Sequence, residues 1–411
     1  MPELLSPAGN FEKLKAAIRY GADAVYLSGK RFGMRAAAGN FNNEELKAAV
    51  EYAHANHVRV YVTLNVMPRT SEYDNLLIYI RYLREIGADA AIVSDIGVLA
   101  LIRENVPDLE VHISTQASAV SAATCRAYHA LGAKRVVLAR ELTLREIAEI
   151  RRDTPRSLEL EAFVHGSMCI AYSGRCLLSQ HFTGRDANRG MCTQPCRWNY
   201  RVRNAVYELV EEKRPDMPIP ITEDGGETFI MSSKDMCMIE HIPELMESGL
   251  DSFKIEGRMK SAYYTAVVTN TYRMAMDAYS RSPQNYCFLP AYGRELSSVS
   301  HREYDTGFYF SDSHTDAKTT SDTGYLREKA FLAVILSYDE KNKRALCRQK
   351  NKMTEGENIE LLVPGNIGMP LTVSGLTDTE GNPISDTRHP EMQFCMDMPY
   401  AANPGDILRG G

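Results

Sequence analysis

The chain has 411 residues, of which 44% are hydrophobic and 24% are charged, and its formal net charge is −6 at pH 7. This composition predicts a soluble globular protein with one large and one smaller domain, and the acidic balance argues against a protein that coats nucleic acid through its overall charge. No apolar run approaches the roughly eighteen residues of a membrane span, and the start MPELLSPAGN has no features of an export signal. We therefore expect a cytoplasmic protein with no membrane partner and with reduced cysteines.

A seven-residue repeat organises the first 280 residues. Its copies begin at Gly21, Gly87, Gly132 and Gly249 and read GADAVYL, GADAAIV, GAKRVVL and GLDSFKI. Each copy follows an amphipathic helical pattern, so the glycine is expected to end a helix and the apolar run to form a short buried strand. Helix, glycine and strand in this order are typical of a parallel sheet.

Eight such strands are predicted, at residues 3–5, 24–27, 58–64, 90–93, 109–113, 135–138, 158–164 and 252–255. With helical patterns between most of them, they favour the α/β class and a (β/α)8 TIM-like barrel at residues 1–281. The seventh connection would carry a cysteine-rich insertion at 165–250, including a β-hairpin of 197–210 and 218–231. A doubly wound sheet is the alternative fold, because the count of eight depends on the short first strand.

Chemistry in such a barrel lies at the C-terminal ends of the strands. The residues expected there form a polar ring: Ser28, Asn65, Ser94, Asp95, Ser114, Gln116, Arg140, Glu141, His165, Glu256 and Arg258. Any one of them taken singly is more often a helix cap or an ion-pair partner. We take His165 and Glu256 as candidate catalytic residues, the first because histidine is the side chain type that can act as acid or base near neutral pH. Arg258, beside Glu256 and Lys254, is a candidate to hold a carboxylate substrate.

Five of the nine cysteines lie in or next to the insertion: Cys169, Cys176, Cys192, Cys196 and Cys237. In a reducing compartment this crowding favours metal or iron-sulfur ligation over a redox pair or a disulfide. Only Cys192 and Cys196 have the close spacing of a zinc knuckle. Six residues separate Cys169 from Cys176, which suits a cubane cluster whose irons each take one thiolate. Buried structural thiols are the alternative interpretation.

Basic and aromatic residues lie among and beside these cysteines. The candidates to contact a substrate are Arg185, Arg189, Arg197 and Trp198. The arginines would bind phosphates, and the tryptophan ring would stack on a base. A solvated loop is an equally good interpretation of the residues alone.

After the helix near 259–281, residues 282–325 are predicted to form a linker that packs over the barrel. Residues 326–411 show only strand patterns with regular turns, which predicts a small C-terminal β-barrel. Its isolated Cys347 and Cys395 are expected to be core thiols.

The signature residues Glu161, Phe163, Gly166, Ser167, Cys169, Gly174, Cys176 and Ser179 resemble those of the collagenase-like peptidase family U-32. The segments PELLSPAG, SSKDMC, KIEGRMKS and HREYDTGFYF also resemble landmarks of that family, so the resemblance covers nearly the whole chain.

The resemblance implies a function in hydroxylation rather than in proteolysis. Better understood members resemble cluster-dependent hydroxylation proteins that act on transfer RNA wobble uridine, on ribosomal RNA cytidine, or as heterodimers in ubiquinone synthesis. The C-terminal domain, similar to translation-factor barrels, favours the transfer RNA branch and 5-hydroxyuridine formation. Prephenate is then the expected hydroxyl donor, and a second U-32 family protein is a conceivable partner.

The same resemblance implies a 4Fe-4S cluster on Cys169, Cys176, Cys192 and Cys237, with Cys196 as the alternative ligand. Two other functions stay open. A peptidase would match the family label, although no HExxH or GxSxG motif is present. A zinc-stabilised RNA-binding protein would need stoichiometric zinc and no turnover.

Overall fold

The computed structural model describes residues 1–33, 40–169, 171–187, 191–197, 208–211, 214–220, 222–224, 227–229, 233–311 and 326–410. They form two compact units. The first comprises Met1–Leu14, Asp23–Met259 and His301–Tyr325, and the second comprises Lys15–Ala22, Lys260–Ser300 and Leu326–Gly411. No helix in the described ranges is both long and apolar enough to span a membrane.

Eight parallel strands form a closed barrel in the first unit. They are β1 (Glu3–Pro7), β2 (Ala24–Leu27), β3 (Arg59–Leu64), β4 (Ala90–Val93), β5 (Glu110–Ile113), β6 (Arg135–Val137), β7 (Glu159–Ser167) and β8 (Ser252–Ile255). Each strand pairs with the next, β8 pairs with β1, and β7 pairs with β8. The predicted barrel and its short first strand are confirmed, and the doubly wound alternative is wrong because β7 and β8 close the sheet.

The helices that join and follow these strands match the repeat. They are α1 (Phe11–Arg19), α2 (Asn43–Ala55), α3 (Tyr73–Glu85), α4 (Ile96–Asn105), α5 (Ala122–Ala130), α6 (Leu144–Arg152), α7 (Leu178–Thr183), α8 (Ile242–Glu247), α9 (Ala262–Arg281) and α10 (Pro290–Ser297). All four repeat glycines have positive φ, between 80° and 98°, as expected for residues that end a helix.

Three of the four repeat copies have an aspartate just before the strand, and each aspartate binds the backbone of a neighbouring strand. The Oδ2 atom of Asp23 accepts a hydrogen bond of 2.8 Å from the backbone nitrogen of Leu4. Asp89 and Asp251 accept equivalent bonds from Val60 and Leu160, which like Leu4 are the second residues of neighbouring strands. Each aspartate therefore fixes the start of the adjacent strand, which sets the register of the barrel.

The insertion between β7 and α8 adds a strand to the barrel edge. Asp235–Cys237 runs antiparallel to the end of β7, and Tyr304–Asp305 pairs with it in parallel. Two further antiparallel ladders join Glu208–Glu211 with Arg214–Pro220, and Thr222–Asp224 with Glu227–Phe229. Of the predicted hairpin, residues 198–207 lie outside the described part of the chain.

The second unit contains a six-stranded antiparallel half-barrel. Its strands are β9 (Ala330–Asp339), β10 (Arg344–Gln349), β11 (Asn358–Leu362), β12 (Met369–Thr372), β13 (Gln393–Asp397) and β14 (Ile407–Gly410), in the order β12-β11-β14-β9-β10-β13. Cys347 is fully buried in its apolar core, whereas Cys395 is half-buried. Arg409 is also fully buried and bonds to Glu295 and Glu360 within the same unit.

Candidate active site

A cavity of about 130 Å³ opens at the C-terminal ends of the barrel strands, within the first unit. Seven of the eight strands supply a lining residue from within the strand or from the residues just after it: Tyr26, Thr63, Ile92, Ser114, Arg140, Phe163 and Lys254. This is the end of the barrel at which enzymes of this architecture carry their active sites.

The floor of the cavity rests on a network of buried charges. Nη1 of Arg135 donates to Glu3 at 2.6 Å and to Glu161 at 2.8 Å, and Nζ of Lys254 donates to Glu161 at 2.7 Å. Burial acts to raise the pKa of Glu161, but the charges of Lys254 and Arg135 outweigh burial and lower that pKa to about 2. The ionised Glu161 therefore holds the Lys254 ammonium in place at the floor.

The end of β8 supplies most of the charge that faces the cavity. The Lys254 ammonium lies 4.5 Å from the ring centre of Tyr26, and Nη1 of Arg258 donates to Thr63 Oγ1 at 3.2 Å. The hydroxyl of Tyr26 lies 3.3 Å from a carboxylate oxygen of Glu256. With Arg140, the described lining has three cationic side chains and one carboxylate, so the cavity favours an anionic ligand.

The backbone of Arg258 is fixed by the N-terminal segment of the chain. Nζ of Lys13 donates to the carbonyl oxygen of Arg258 at 2.9 Å, and a Cβ atom at Gly9 would overlap the same oxygen. Only glycine permits this close approach. This explains in structural terms why the PELLSPAG segment ends in glycine, although sequence reasoning gave Gly9 and Lys13 no role in the site.

Four cysteines also line the cavity: Cys169, Cys176, Cys192 and Cys196. Arg140 anchors the beginning of this segment, because its guanidinium donates to the carbonyl oxygen of Ser167 and to the hydroxyl of Ser173, both at 2.7 Å. Its Nη2 also lies 3.7 Å from the sulfur of Cys169. The segment is therefore fixed to the end of β6 between its first two cysteines.

Cys237 has a different environment. It ends the strand Asp235–Cys237, its register partner is His165, and it is not among the described residues that line the cavity. Burial raises the pKa of Tyr304, and the nearby charges of Cys237 and Asp235 raise it further, which places Cys237 close to Tyr304. Within the described residues, no three Cys, His, Asp or Glu side chains are grouped to hold one metal ion.

His165 does not line the cavity, because the register between β7 and β8 shifts by one residue just before it. Phe163 pairs with Lys254, but the next pair joins His165 to Ile255, so β7 has one extra residue at a bulge. A bulge reverses the alternation of side chains along the strand. Phe163 therefore lines the cavity, whereas the buried His165 ring packs 5.3 Å from the ring of Tyr304.

The basic and aromatic patch is described only in part. Arg185 is exposed just after α7, and Arg197 ends the short 3-10 turn Pro195–Arg197. Arg189 and Trp198 lie outside the described residues.

The fold and the site define a barrel protein whose cavity is lined by cationic side chains and by cysteines. Models of two families match the chain, Peptidase family U32 over residues 9–319 and the Peptidase family U32 C-terminal domain over residues 327–409. The chain belongs to peptidase family U32.

Curated relatives extend this result over the full length. The chain is 37% identical to "tRNA hydroxylation protein P1" of Bacillus subtilis, over 100% of this chain and 95% of the relative. It is 35% identical to "tRNA hydroxylation protein P" of Escherichia coli, over 93% of this chain and 91% of the relative. An "Uncharacterized protease" of Methanocaldococcus jannaschii is 44% identical over 76% of this chain and 74% of the relative.

Proposed function

We propose that this protein hydroxylates the wobble uridine of transfer RNA to 5-hydroxyuridine with the help of an iron-sulfur cluster. The observation that carries the proposal is the shared cavity, which is lined by four cysteines and three cationic side chains. The names of the Bacillus and Escherichia relatives, which match over nearly their whole length, support transfer RNA as the substrate.

The cysteine segment suits a 4Fe-4S cluster. A cubane distributes four thiolates over four irons, so its ligands stand farther apart than those of a single ion. Three ligands are the same whichever cysteine is the fourth: Cys169, Cys176 and Cys192. The fourth is Cys237, as the sequence indicates, or Cys196, which lines the cavity with the other three. A bound cluster would supply electron transfer or Lewis acidity beside the substrate.

The cationic wall suits prephenate as the hydroxyl donor. Arg258, Lys254 and Arg140 can neutralise carboxylates, and the rings of Tyr26 and Phe163 give the cavity an apolar side. In this arrangement Arg258 and Lys254 bind and orient the donor. Glu256, held near the Tyr26 hydroxyl, is the one lining carboxylate that can accept a proton.

The peptidase alternative finds less support in the site. A cysteine protease requires a thiolate next to a histidine. The described lining of the cavity contains four cysteines and no histidine, and His165 packs against Tyr304 instead. A zinc-stabilised RNA-binding protein is the second alternative.

The test is the content of iron, acid-labile sulfide and zinc in protein purified without oxygen, together with transfer RNA hydroxylation by the same preparation. We expect about four irons and four sulfides per chain, lost in the Cys169→Ala, Cys176→Ala and Cys192→Ala variants. Separate Cys196→Ala and Cys237→Ala variants identify the fourth ligand. Cys125→Ala is the matched control, because Cys125 is a buried thiol on α5 that does not line the cavity. Zinc alone with no hydroxylation would overturn the proposal.

A further inference from the structure

Gln116 presents an unused hydrogen-bond donor in the cavity. Its side chain is 6% exposed and lines the cavity from the short 3-10 turn Thr115–Ala117, directly after β5. Among the described residues, its Nε2 atom has no hydrogen-bond partner. A buried amide donor without an acceptor is energetically costly, so this position indicates a ligand that accepts a hydrogen bond there.

Neighbouring side chains fix which end of the amide faces the ligand. The Oε1 atom of Gln116 accepts from Nδ2 of Asn65 and from the hydroxyl of Ser114, the latter at 3.3 Å. The Ser114 oxygen in turn accepts the backbone N–H of Gln116, so its hydrogen is available for Oε1. Because Oε1 already accepts two hydrogen bonds, the NH2 group is the part of the Gln116 amide that can donate to a ligand in the cavity.

The turn that holds Gln116 also supports the cysteine segment. Gly174, with φ of 78°, packs so closely that a Cβ atom there would lie 2.9 Å from the carbonyl oxygen of Gln116. The hydroxyl of Ser118 reaches the carbonyl oxygen of Ser173 at 3.4 Å. A group bound by Gln116 is therefore held beside the segment between Cys169 and Cys176.

We propose that Gln116 donates to the C4 carbonyl of the target uracil and so selects uridine over cytidine; this inference rests on the proposed function. Uracil carries an acceptor at C4, whereas cytosine carries an amino donor there. A donor whose orientation is fixed bonds to the first and opposes the second. A target base must leave its stack to enter such a cavity. Tyr172, which lines the cavity and is 41% exposed, offers a ring on which the extruded base stacks.

The test compares hydroxylation of one transfer RNA with either uridine or cytidine at the modified position, measured by nucleoside mass spectrometry as a competition ratio. For the wild-type protein we expect a preference for uridine of about 10- to 100-fold. Gln116→Glu, which replaces the donor with an acceptor, should lower uridine hydroxylation and shift the ratio toward cytidine. Gln116→Leu should lower uridine hydroxylation without raising that of cytidine.

Ser114→Ala provides a second variant that leaves Gln116 itself unchanged. It removes one of the two donors that hold the Gln116 oxygen, while Asn65 keeps the other, so the ratio should decrease by less than in Gln116→Glu. Gln284→Glu is the matched control, because Gln284 is an exposed glutamine in the second unit. Thermal melting verifies that every variant is folded.

Two results would overturn the inference, and they differ from each other. If all three cavity variants lose activity with an unchanged uridine to cytidine ratio, Gln116 serves the hydroxyl donor or the fold, and the proposed function stands. If the wild-type protein hydroxylates neither transfer RNA, the proposed function fails and the inference fails with it.

Discussion

Arg140 donates a hydrogen bond of 2.7 Å to the hydroxyl of Ser173, which lies between Cys169 and Cys176 in the chain. This contact, with the bond to the Ser167 carbonyl, connects the cysteine segment to the barrel at the end of β6. The guanidinium also lies 4.8 Å from the ring centre of Phe163, inside the cavity. Arg140 therefore both binds the cysteine segment and, with Lys254 and Arg258, lines the cavity with positive charge.

Replacing Arg140 should therefore weaken cofactor retention more than folding. For Arg140→Lys, which keeps the charge but loses the planar fork, we expect hydroxylation to fall by about 10- to 100-fold and iron content to decrease. Arg145→Ala is the control, since Arg145 is an arginine on α6 whose side chain is 88% exposed. Iron analysis and nucleoside mass spectrometry on the same preparations measure both effects. Unchanged iron and activity in Arg140→Lys would contradict the assignment.

Gly166 should be intolerant of any side chain. Its φ is 107°, and a Cβ atom would overlap the carbonyl oxygen of Glu256 at the end of β8. We expect Gly166→Ala to lower the free energy of unfolding by at least about 3 kcal/mol, from backbone strain together with the clash. Gly184→Ala is the matched control. That glycine also has positive φ, but no atom lies within 4 Å of the added Cβ, so only the strain of about 1 kcal/mol applies. Urea denaturation measures the difference, and equal costs would contradict the close packing.

The free energy of unfolding of the barrel should decrease at low pH because of Glu161. Its pKa is about 2 in the folded protein and near 4.5 in the unfolded chain. The contribution of the ionised carboxylate to the free energy of unfolding is therefore present above pH 4.5 and is lost as the pH falls toward 2. We expect Glu161→Gln to cost about 3 kcal/mol at pH 7 and progressively less below pH 4.5.

Denaturation curves of both proteins at several pH values measure the effect. Glu44→Gln, on the exposed face of α2, is the control and should show no pH-dependent difference. A stability difference between wild type and Glu161→Gln that is constant from pH 7 to pH 3 would show that Glu161 is not held ionised by Lys254 and Arg135.

Arg409 should stabilise the second unit through two carboxylates. Its Nη2 atom lies 2.6 Å from Glu295, and its Nε atom donates to Glu360 at 2.9 Å. Arg409→Met leaves both carboxylates without this cation, which should cost about 3–5 kcal/mol. Arg388→Met removes an exposed pair with Asp386 and should cause no measurable change. Denaturation followed by circular dichroism compares the two variants, and similar midpoints would contradict the prediction.

The repeat made the barrel predictable. Its glycines and apolar runs located β2, β4, β6 and β8 to within one residue, since the same helix, glycine and strand pattern recurs at Gly21, Gly87, Gly132 and Gly249. The strand ends then indicated Gln116, Arg140, Glu256 and Arg258, which all line the cavity.

Other parts of the site depend on contacts that a sequence does not display. The bulge that turns His165 away from the cavity arises from pairing with β8, which is distant in the chain. The contact of Gly9 and Lys13 with Arg258 joins residues about 245 positions apart. The different environments of Cys196 and Cys237 follow from the strand that Asp235–Cys237 adds beside β7, which spacing between cysteines could not reveal.

The central claim is that the cysteine-lined cavity hydroxylates transfer RNA. It is tested most directly by nucleoside mass spectrometry of transfer RNA from a host lacking its own tRNA hydroxylation proteins and supplied with this chain. We predict 5-hydroxyuridine with the wild-type protein and with the Cys125→Ala control, and none with Cys169→Ala. Transfer RNA without 5-hydroxyuridine in the wild-type strain, or equal amounts with wild type and Cys169→Ala, would contradict the account.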